Sequence, residues 1–425
     1  MTIDKLIRYG LQHGGITTAQ PSCLPSDEVT IAQALQDVGY STHAVGKWHL
    51  GFYKEECLPT NRGFETFYGT YCSSGDHFTY MRNYIIPNNG TLSGIDLHNH
   101  TRLSFEPAWD GIGHYSPELL TGEAQNVIRR HATSEKPLFL YLPYLAVHGP
   151  IQVPKRYKEP YKDIISDEKR LTLAGMMNCL DEGVGNVTDT LKETGLYDNT
   201  IIIFSTDNGG AAQQAGNNWP LRGIKKTFFE GGVRGVGFIH SPLLPDPNKG
   251  TTSHAWMHVT DWFQTILSGL VGGDINMTKP IDGIDVWKAI TSNSSSPRRE
   301  LLHGIDPISY LEPLLTGRAA LRMGDWKLIL GDLCRLYFYC DWFPPKESNI
   351  TSTKPTEPRN KEIWLFNIAR DPLERNDLAT RRPGIVKRMM ERLKAYNATA
   401  VPPWYPPPDP NSNPKYNGGV WGPWE

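Results

Sequence analysis

The chain has 425 residues, too many for one simple core, so two domains are expected. Hydrophobic residues make up 39% and charged residues 21%, with a formal net charge of -2, which offers neither a basic surface for nucleic acid nor a charged interaction tail. The longest apolar runs, residues 137–142 and 201–204, are strand-sized, so no membrane span is expected.

Residues 27–38 read as a helix ending at Gly39, followed by a strand over 41–45. Residues 116–131 open with Ser-Pro, a helix start, and lead to a strand over 137–142. The clearest helix spans 167–194. There Leu173, Met177, Leu180, Val184, Val187 and Leu191 recur at alternating spacings of four and three, giving one apolar stripe expected to face a sheet. Next comes a strand over 200–206, whose unbroken apolar run predicts burial on both faces of a parallel sheet. A Gly-rich strand over 232–239 and a helix over 260–270 come after it. Alternating helices and strands predict βαβ units and an α/β domain over 1–310. From there the character changes. Residues 318–330 and 363–367 look like antiparallel strands and 384–396 like a helix, an α+β domain over 311–425. The tail from Val401 is rich in Pro and Trp and predicts an extended arm on the surface.

Three strand ends carry chemistry. The first delivers Gly46-Lys47-Trp48-His49, where a permanent cation and a titratable donor two residues apart share one crevice if the backbone stays extended. The second delivers Val147-His148-Gly149-Pro150. The third runs into Asp207-Asn208-Gly209-Gly210, a carboxylate and a carboxamide able to offer hard oxygen ligands to Ca²⁺. The loop Leu221-Arg222-Gly223-Ile224-Lys225 adds cations. Taken singly, these segments read as an Asx turn, a surface lysine, a structural histidine and a solvated loop. Taken together they describe a metal-assisted anion site.

The six cysteines include no C-x-x-C pair, which argues against a zinc or redox cluster. Cys23 with Cys57, and Cys334 with Cys340, are candidate disulfides, and Cys179 falls on an apolar helix face as a buried thiol. N-x-S/T acceptor sites at Asn89, Asn99, Asn186, Asn276, Asn293, Asn349 and Asn397 favour a secretory history, although Met1-Thr2-Ile3-Asp4-Lys5 has no signal-peptide character.

The segments around Lys47-Trp48-His49, Val147-His148-Gly149-Pro150, Ser205-Thr206-Asp207-Asn208-Gly209-Gly210 and Leu221-Arg222-Gly223-Ile224-Lys225 resemble the type I sulfatases of the alkaline phosphatase superfamily. Asn217-Asn218-Trp219-Pro220, Trp364-Leu365-Phe366, Asp371-Pro372 and the tail Gly419-Val420-Trp421-Gly422-Pro423-Trp424 look most like the arylsulfatase B-like members. The resemblance covers essentially the whole chain. It implies an alkaline-phosphatase-like mixed sheet flanked by helices, a smaller C-terminal domain with an antiparallel sheet, and calcium-dependent hydrolysis of sulfate monoesters on sulfated sugars or aryl sulfates. By the same resemblance Asp207 and Asn208 are metal ligands. Lys47, His49, His148 and Lys225 contact sulfate, with His148 on the leaving-group side. A lysosomal or secreted location is implied as well.

One departure stands out. Relatives carry an Asp-Asp pair in the first strand and a C-x-P-S-R segment whose Cys becomes formylglycine, the nucleophile, through a formylglycine-generating enzyme. Here Cys23 is followed by Leu24-Pro25-Ser26-Asp27, and neither element is present. Residues 1–13 match the stretch immediately C-terminal to that segment in relatives, so the formylglycine is expected upstream of Met1. The chain as written is expected to be inactive and its calcium site incomplete. A catalytically dead binding or regulatory protein, and a phosphodiesterase-like hydrolase of the same superfamily, are the alternatives.

Overall fold

The computed structural model describes residues 10–86, 90–292, 294–308, 317–331, 338–345, 350 and 361–425. Its large sheet is built around β1 (Ser41–Lys47). This strand pairs in parallel with β2 (Thr66–Thr70) on one side and β7 (Leu138–Tyr141) on the other. Beyond β2, the antiparallel strands β5 (His98–Thr101) and β6 (Ser104–Pro107) complete the order β6-β5-β2-β1-β7. Successive side chains of β1 point to opposite faces. Ala44 therefore joins a cluster with Trp48, Phe52, Phe67 and Tyr71, whereas Val45 joins Leu97, Leu120 and Val127 on the other face.

Local signals explain the helices. Helix α1 (Ile31–Asp37) starts four residues later than the sequence suggests, because Thr30 and Gln33 form a reciprocal capping box. Helix α2 (Ser116–His131) has Pro117 in its first turn and lays Leu120, Ala124 and Val127 on the sheet. Helix α3 (Glu168–Glu193) is capped by Asp167, whose carboxylate accepts from the Arg170 N–H at 2.9 Å. Its buried stripe is Leu173, Met176, Cys179, Leu180 and Leu191, rotated from the expected one so that Met177 is exposed. The stripe packs on α2 and on the turn Lys155–Tyr157 rather than on the sheet. The helix expected over 260–270 is present as Asp261–Gln264 continuing into a π-helical stretch, Thr265–Leu270.

The run over 200–206 behaves differently from expectation. Its strand, β8 (Ile202–Ser205), pairs antiparallel with β9 (Gly237–His240) in a separate two-stranded sheet. The expected Gly-rich strand is reduced to β9, since Glu230–Val233 forms a helical turn. Among the described residues, β7 has no strand on the side away from β1 and β8 none on the side away from β9. The side chains there are only partly covered, with Tyr141, Val236 and Phe238 exposed.

A second sheet is fully antiparallel, in the order β10 (Glu300–Asp306), β11 (Arg318–Met323), β12 (Trp326–Leu330), β13 (Ile363–Asn367). One face carries Leu302, Leu321, Leu328 and Leu365 against Met389 and Leu393 of the helix Pro383–Asn397. The other carries Ala320, Ile329, Trp364 and Phe366 against Phe228 and Phe229. Within that second interface Lys327 is fully buried, its Nζ 2.9 Å from both Glu230 Oε1 and Glu374 Oε1.

The tail is not a surface arm. Trp421 is fully buried and its Nε1–H donates to the Arg82 carbonyl at 3.0 Å. Residues 419–421 bond both sides of Ile95, in the hairpin of β3 (Met81–Ile86) and β4 (Gly90–Ile95). The Trp404 N–H donates to Gly10 O, and that of Asp409 to Ala19 O. A tail this poor in backbone donors still docks, because Trp421 buries a large ring and keeps a polar handle for a carbonyl, while the Trp424 Nε1–H donates to the Asp409 carboxylate at 3.0 Å.

Cys23 and Cys57 are disulfide-bonded, with Cα atoms 6.1 Å apart. Cys72 and Cys179 are buried free thiols. Cys340 is disulfide-bonded, and its expected partner Cys334 lies outside the described residues. Of the acceptor asparagines, Asn99, Asn186, Asn276 and Asn397 are exposed, while Asn89, Asn293 and Asn349 lie outside the described residues. No described helix is long and apolar enough to cross a membrane.

Candidate functional site

Lys47 ends β1, and its N–H is fixed by the Pro143 carbonyl at 2.8 Å. Burial lowers its pKa, Asp207 raises it and Lys225 lowers it again. Residues from three separate segments therefore share one electrostatic environment. His148 gives the same result. Burial lowers its pKa, its hydrogen bond to the Gly149 carbonyl opposes this, Lys225 and Lys47 push it down further, and Asp207 pulls it up. The three strand ends thus converge as expected, but not along one continuous sheet. Asp207 arrives from the β8–β9 hairpin.

His49 departs from the extended geometry expected of it. Its φ is +54°, a left-handed conformation uncommon for a residue with a side chain, and its N–H bonds the Tyr71 carbonyl at 3.0 Å. Its Nε2 lies 3.1 Å from the Ile16 carbonyl. Burial first, then the Lys47 charge, brings its pKa down to about 3. A neutral imidazole nitrogen facing a carbonyl must carry the proton, so Nδ1 is left as the lone-pair acceptor. His49 therefore stands in the site as a neutral group rather than as a second cation.

The metal-ligand candidates sit on a turn shaped by glycine. A Cβ on Gly209 would lie 1.7 Å from the Gly231 carbonyl oxygen, so the chain can pass there only without a side chain. The Asp207 side chain is exposed, and the Asn208 Nδ2 donates to the Gly209 carbonyl at 2.9 Å, leaving Oδ1 as a possible ligand. Two oxygens fall well short of the six to eight that Ca²⁺ takes. No group of three or more His, Cys, Asp or Glu placed to hold a metal occurs among the described residues. The described donor set does not by itself make a calcium site.

Several contributors escape sequence reading. His77 donates from Nε2 to the His148 carbonyl at 2.9 Å, while Ser116 Oγ lies 2.7 Å from its Nδ1. This braces the backbone beneath His148. Arg82 adds a cation whose field reaches His49, and it is held by Thr18 Oγ1 at 3.1 Å and Ser74 Oγ at 2.9 Å. Arg222 is buried, with its guanidinium 4.3 Å from the Phe229 ring centroid and 4.7 Å from that of Trp342. It donates to the carbonyls of Cys340 and Glu374, tying the Lys225 loop to the small sheet. His77 and Arg82 have no local motif, and Arg222, read in sequence only as a loop cation, acts like them through partners distant in sequence.

The site is thus a half-buried crevice with two ammonium groups, one neutral and one titratable imidazole, and an exposed carboxylate. It is suited to hold a tetrahedral anion and to exchange a proton with a departing oxygen. Comparison with known proteins agrees. Residues 7–272 match the family described as Sulfatase. Arylsulfatase J of Mus musculus is 47% identical over 98% of this chain and 70% of its own length. N-acetylgalactosamine-6-sulfatase of Canis lupus familiaris is 26% identical over 89% of this chain and 70% of its own. The crystal structure of Ps i-CgsB aligns with a TM-score of 0.73 and 25% identity, covering 94% of this chain and 80% of that one. By sequence, fold and the chemistry of its crevice, the chain belongs to the sulfatase family, whose members are sulfuric ester hydrolases.

Proposed function

We propose that the crevice binds the sulfate group of a sulfate monoester carried on a sulfated sugar or an aryl group. The observation that carries this reading is the shared field of Lys47, Lys225, His148 and Asp207. Lys47 and Lys225 attract the anion and stabilise charge on the group in transfer. His148, lowered by burial and by both lysines, regains proton affinity when bound sulfate offsets those charges, and so can serve the leaving oxygen. Asp207 and Asn208 would contribute a carboxylate and a carboxamide oxygen to a calcium site that needs further oxygen ligands. The kinship with an N-acetylgalactosamine-6-sulfatase supports sulfated glycosaminoglycan sugars as the substrate class, and the Cys23–Cys57 disulfide with the exposed acceptor asparagines supports a lysosomal or secreted setting.

The 425 residues contain no C-x-P-S-R segment for a formylglycine-generating enzyme to act on. The experiment is direct. Residues 1–425 are expected to show no turnover of an aryl sulfate but to bind inorganic sulfate weakly, with binding lost in Lys47→Met and Lys225→Met. Absence of sulfate binding by the unaltered chain would sink the anion-site reading. Turnover abolished by His148→Ala would show that another group acts as nucleophile.

A further inference from the structure

The turn after β8 and the loop bearing Lys225 are joined by a single carboxamide. Asn218 Oδ1 accepts from the Gly210 N–H at 2.7 Å. Its Nδ2 donates to the Gly210 carbonyl at 2.9 Å and to the Gly223 carbonyl at 3.1 Å. The Gly210 carbonyl also accepts the Lys225 N–H at 3.1 Å. Reversing the amide would set its NH₂ against an N–H and its oxygen against two carbonyls, so the network fixes its orientation. Gly223 has a φ of +82°, and its own N–H is held by the Asp341 carbonyl at 3.0 Å. Both ends of the stretch leading to Lys225 are thereby referred to the Asp207-Asn208 turn.

We propose that Asn218 is a positioning residue for the anion crevice, setting the separation between the Asp207-Asn208 turn and Lys225. The reasoning is geometric. Lys225 has a long flexible side chain, so the place its ammonium can reach is determined by its backbone, which rests on Gly210 and Gly223. A carboxamide, with an acceptor oxygen and a two-donor nitrogen on one carbon, can hold Gly210 on both its N–H and C=O while gripping Gly223. Asp would keep the acceptor and lose the donors; Ala would lose all three contacts. Asn218 touches no reacting atom and acts through Lys225. The clamp rests on the sulfate reading only for the identity of the anion.

The test uses the full 425-residue chain as Asn218→Ala and Asn218→Asp, with inorganic sulfate as the probe. Three readouts separate positioning from general stability: sulfate affinity by calorimetry, amide exchange at Gly210 and Lys225, and the pH titration of His148 by NMR. Lys225 depresses His148, so a displaced Lys225 lets that titration rise toward the ordinary imidazole range. Folded variants are expected to bind sulfate about tenfold more weakly, a loss of about 1.4 kcal/mol. They should also exchange both amides faster and titrate His148 higher. If both variants fold, bind sulfate like the unaltered chain and leave His148 unmoved, the proposal is overturned. Loss of folding in both also overturns it, since the role is then in fold stability. Should the unaltered chain bind no sulfate while exchange and His148 still respond in the variants, the clamp stands and the sulfate reading falls.

Discussion

Replacing Lys327 by Met tests how the small sheet is held to the segment below the crevice. Lys327 on β12 is fully buried, and its single ammonium faces Glu230 and Glu374 at 2.9 Å each. Met fills similar space but leaves two desolvated carboxyl groups facing each other. Removing one partner of a buried ion pair costs about 3–5 kcal/mol, and here two acceptors lose the same donor. The loss should depend on pH with a definite sign. Burial raises the Glu374 pKa to about 7, Lys327 pulls it down and Glu230 pushes it up again. Without Lys327 both carboxyls titrate upward. A carboxyl whose folded pKa exceeds its unfolded value contributes stability below about 4.3, and loses it as pH rises through the folded value. At pH 5 proton uptake by the buried pair relieves the repulsion, and the deficit should shrink to about 1–2 kcal/mol, the loss of the ammonium hydrogen bonds. At pH 8 it should reach about 3–5 kcal/mol. Urea titrations followed by tryptophan fluorescence at both pH values measure this. A deficit below about 1 kcal/mol at pH 8, or an equal deficit at both pH values, refutes the reasoning.

Two further outcomes are expected. Trp421→Ala should destabilise the large domain by about 3–5 kcal/mol by opening a cavity and orphaning the Arg82 carbonyl, with Trp421→Phe recovering part of this in thermal melts; melting with the unaltered chain would contradict it. The His49 imidazole should stay neutral to about pH 4 in NMR titrations, since burial and Lys47 bring its pKa to about 3. A histidine depressed in this way contributes stability above about pH 6.5 that is lost as pH falls toward 3, so a His49 titrating near 6.5 removes the argument.

Where sequence and structure agree, the controlling forces are local. Helix α3 follows from its Asp167 cap and long apolar periodicity, and the β11–β12 hairpin from a turn between two apolar runs. The motif residues Lys47, His148 and Asp207 were legible because each follows a strand. The misreadings have non-local causes. The run Ile202–Ser205 has the composition of a doubly covered strand, and composition cannot say which partner it meets. Strand β5, with its alternating His98-Asn99-His100, has no apolar signature because its histidines are buried beside Tyr71 and Asp96. Gln33 shortens α1 by closing a box with Thr30, a local signal that outweighs the apolar periodicity before it. The holding roles of His77, Arg82, Asn218 and Arg222 stayed silent for one reason, although Asn218 and Arg222 lie in segments that the sequence singles out. Their partners are carbonyls and hydroxyls brought near by the fold, and a carbonyl has no sequence identity.

The docking of Trp421 has a consequence for how the protein is made. The cluster that begins with Ala19, Ala32 and Ala44 is finished by a residue hundreds of positions further along the chain. Long-range contacts of this kind form late and slowly. During synthesis the large domain would emerge with the Trp421 site open, its aromatic walls at Phe52 and Tyr71 uncovered until that residue leaves the ribosome. A premature stop upstream of Trp421 would then act as a core mutation in a domain whose other parts had long since been made. The codons around Trp421 would serve as a check on the integrity of the message, read out as solubility.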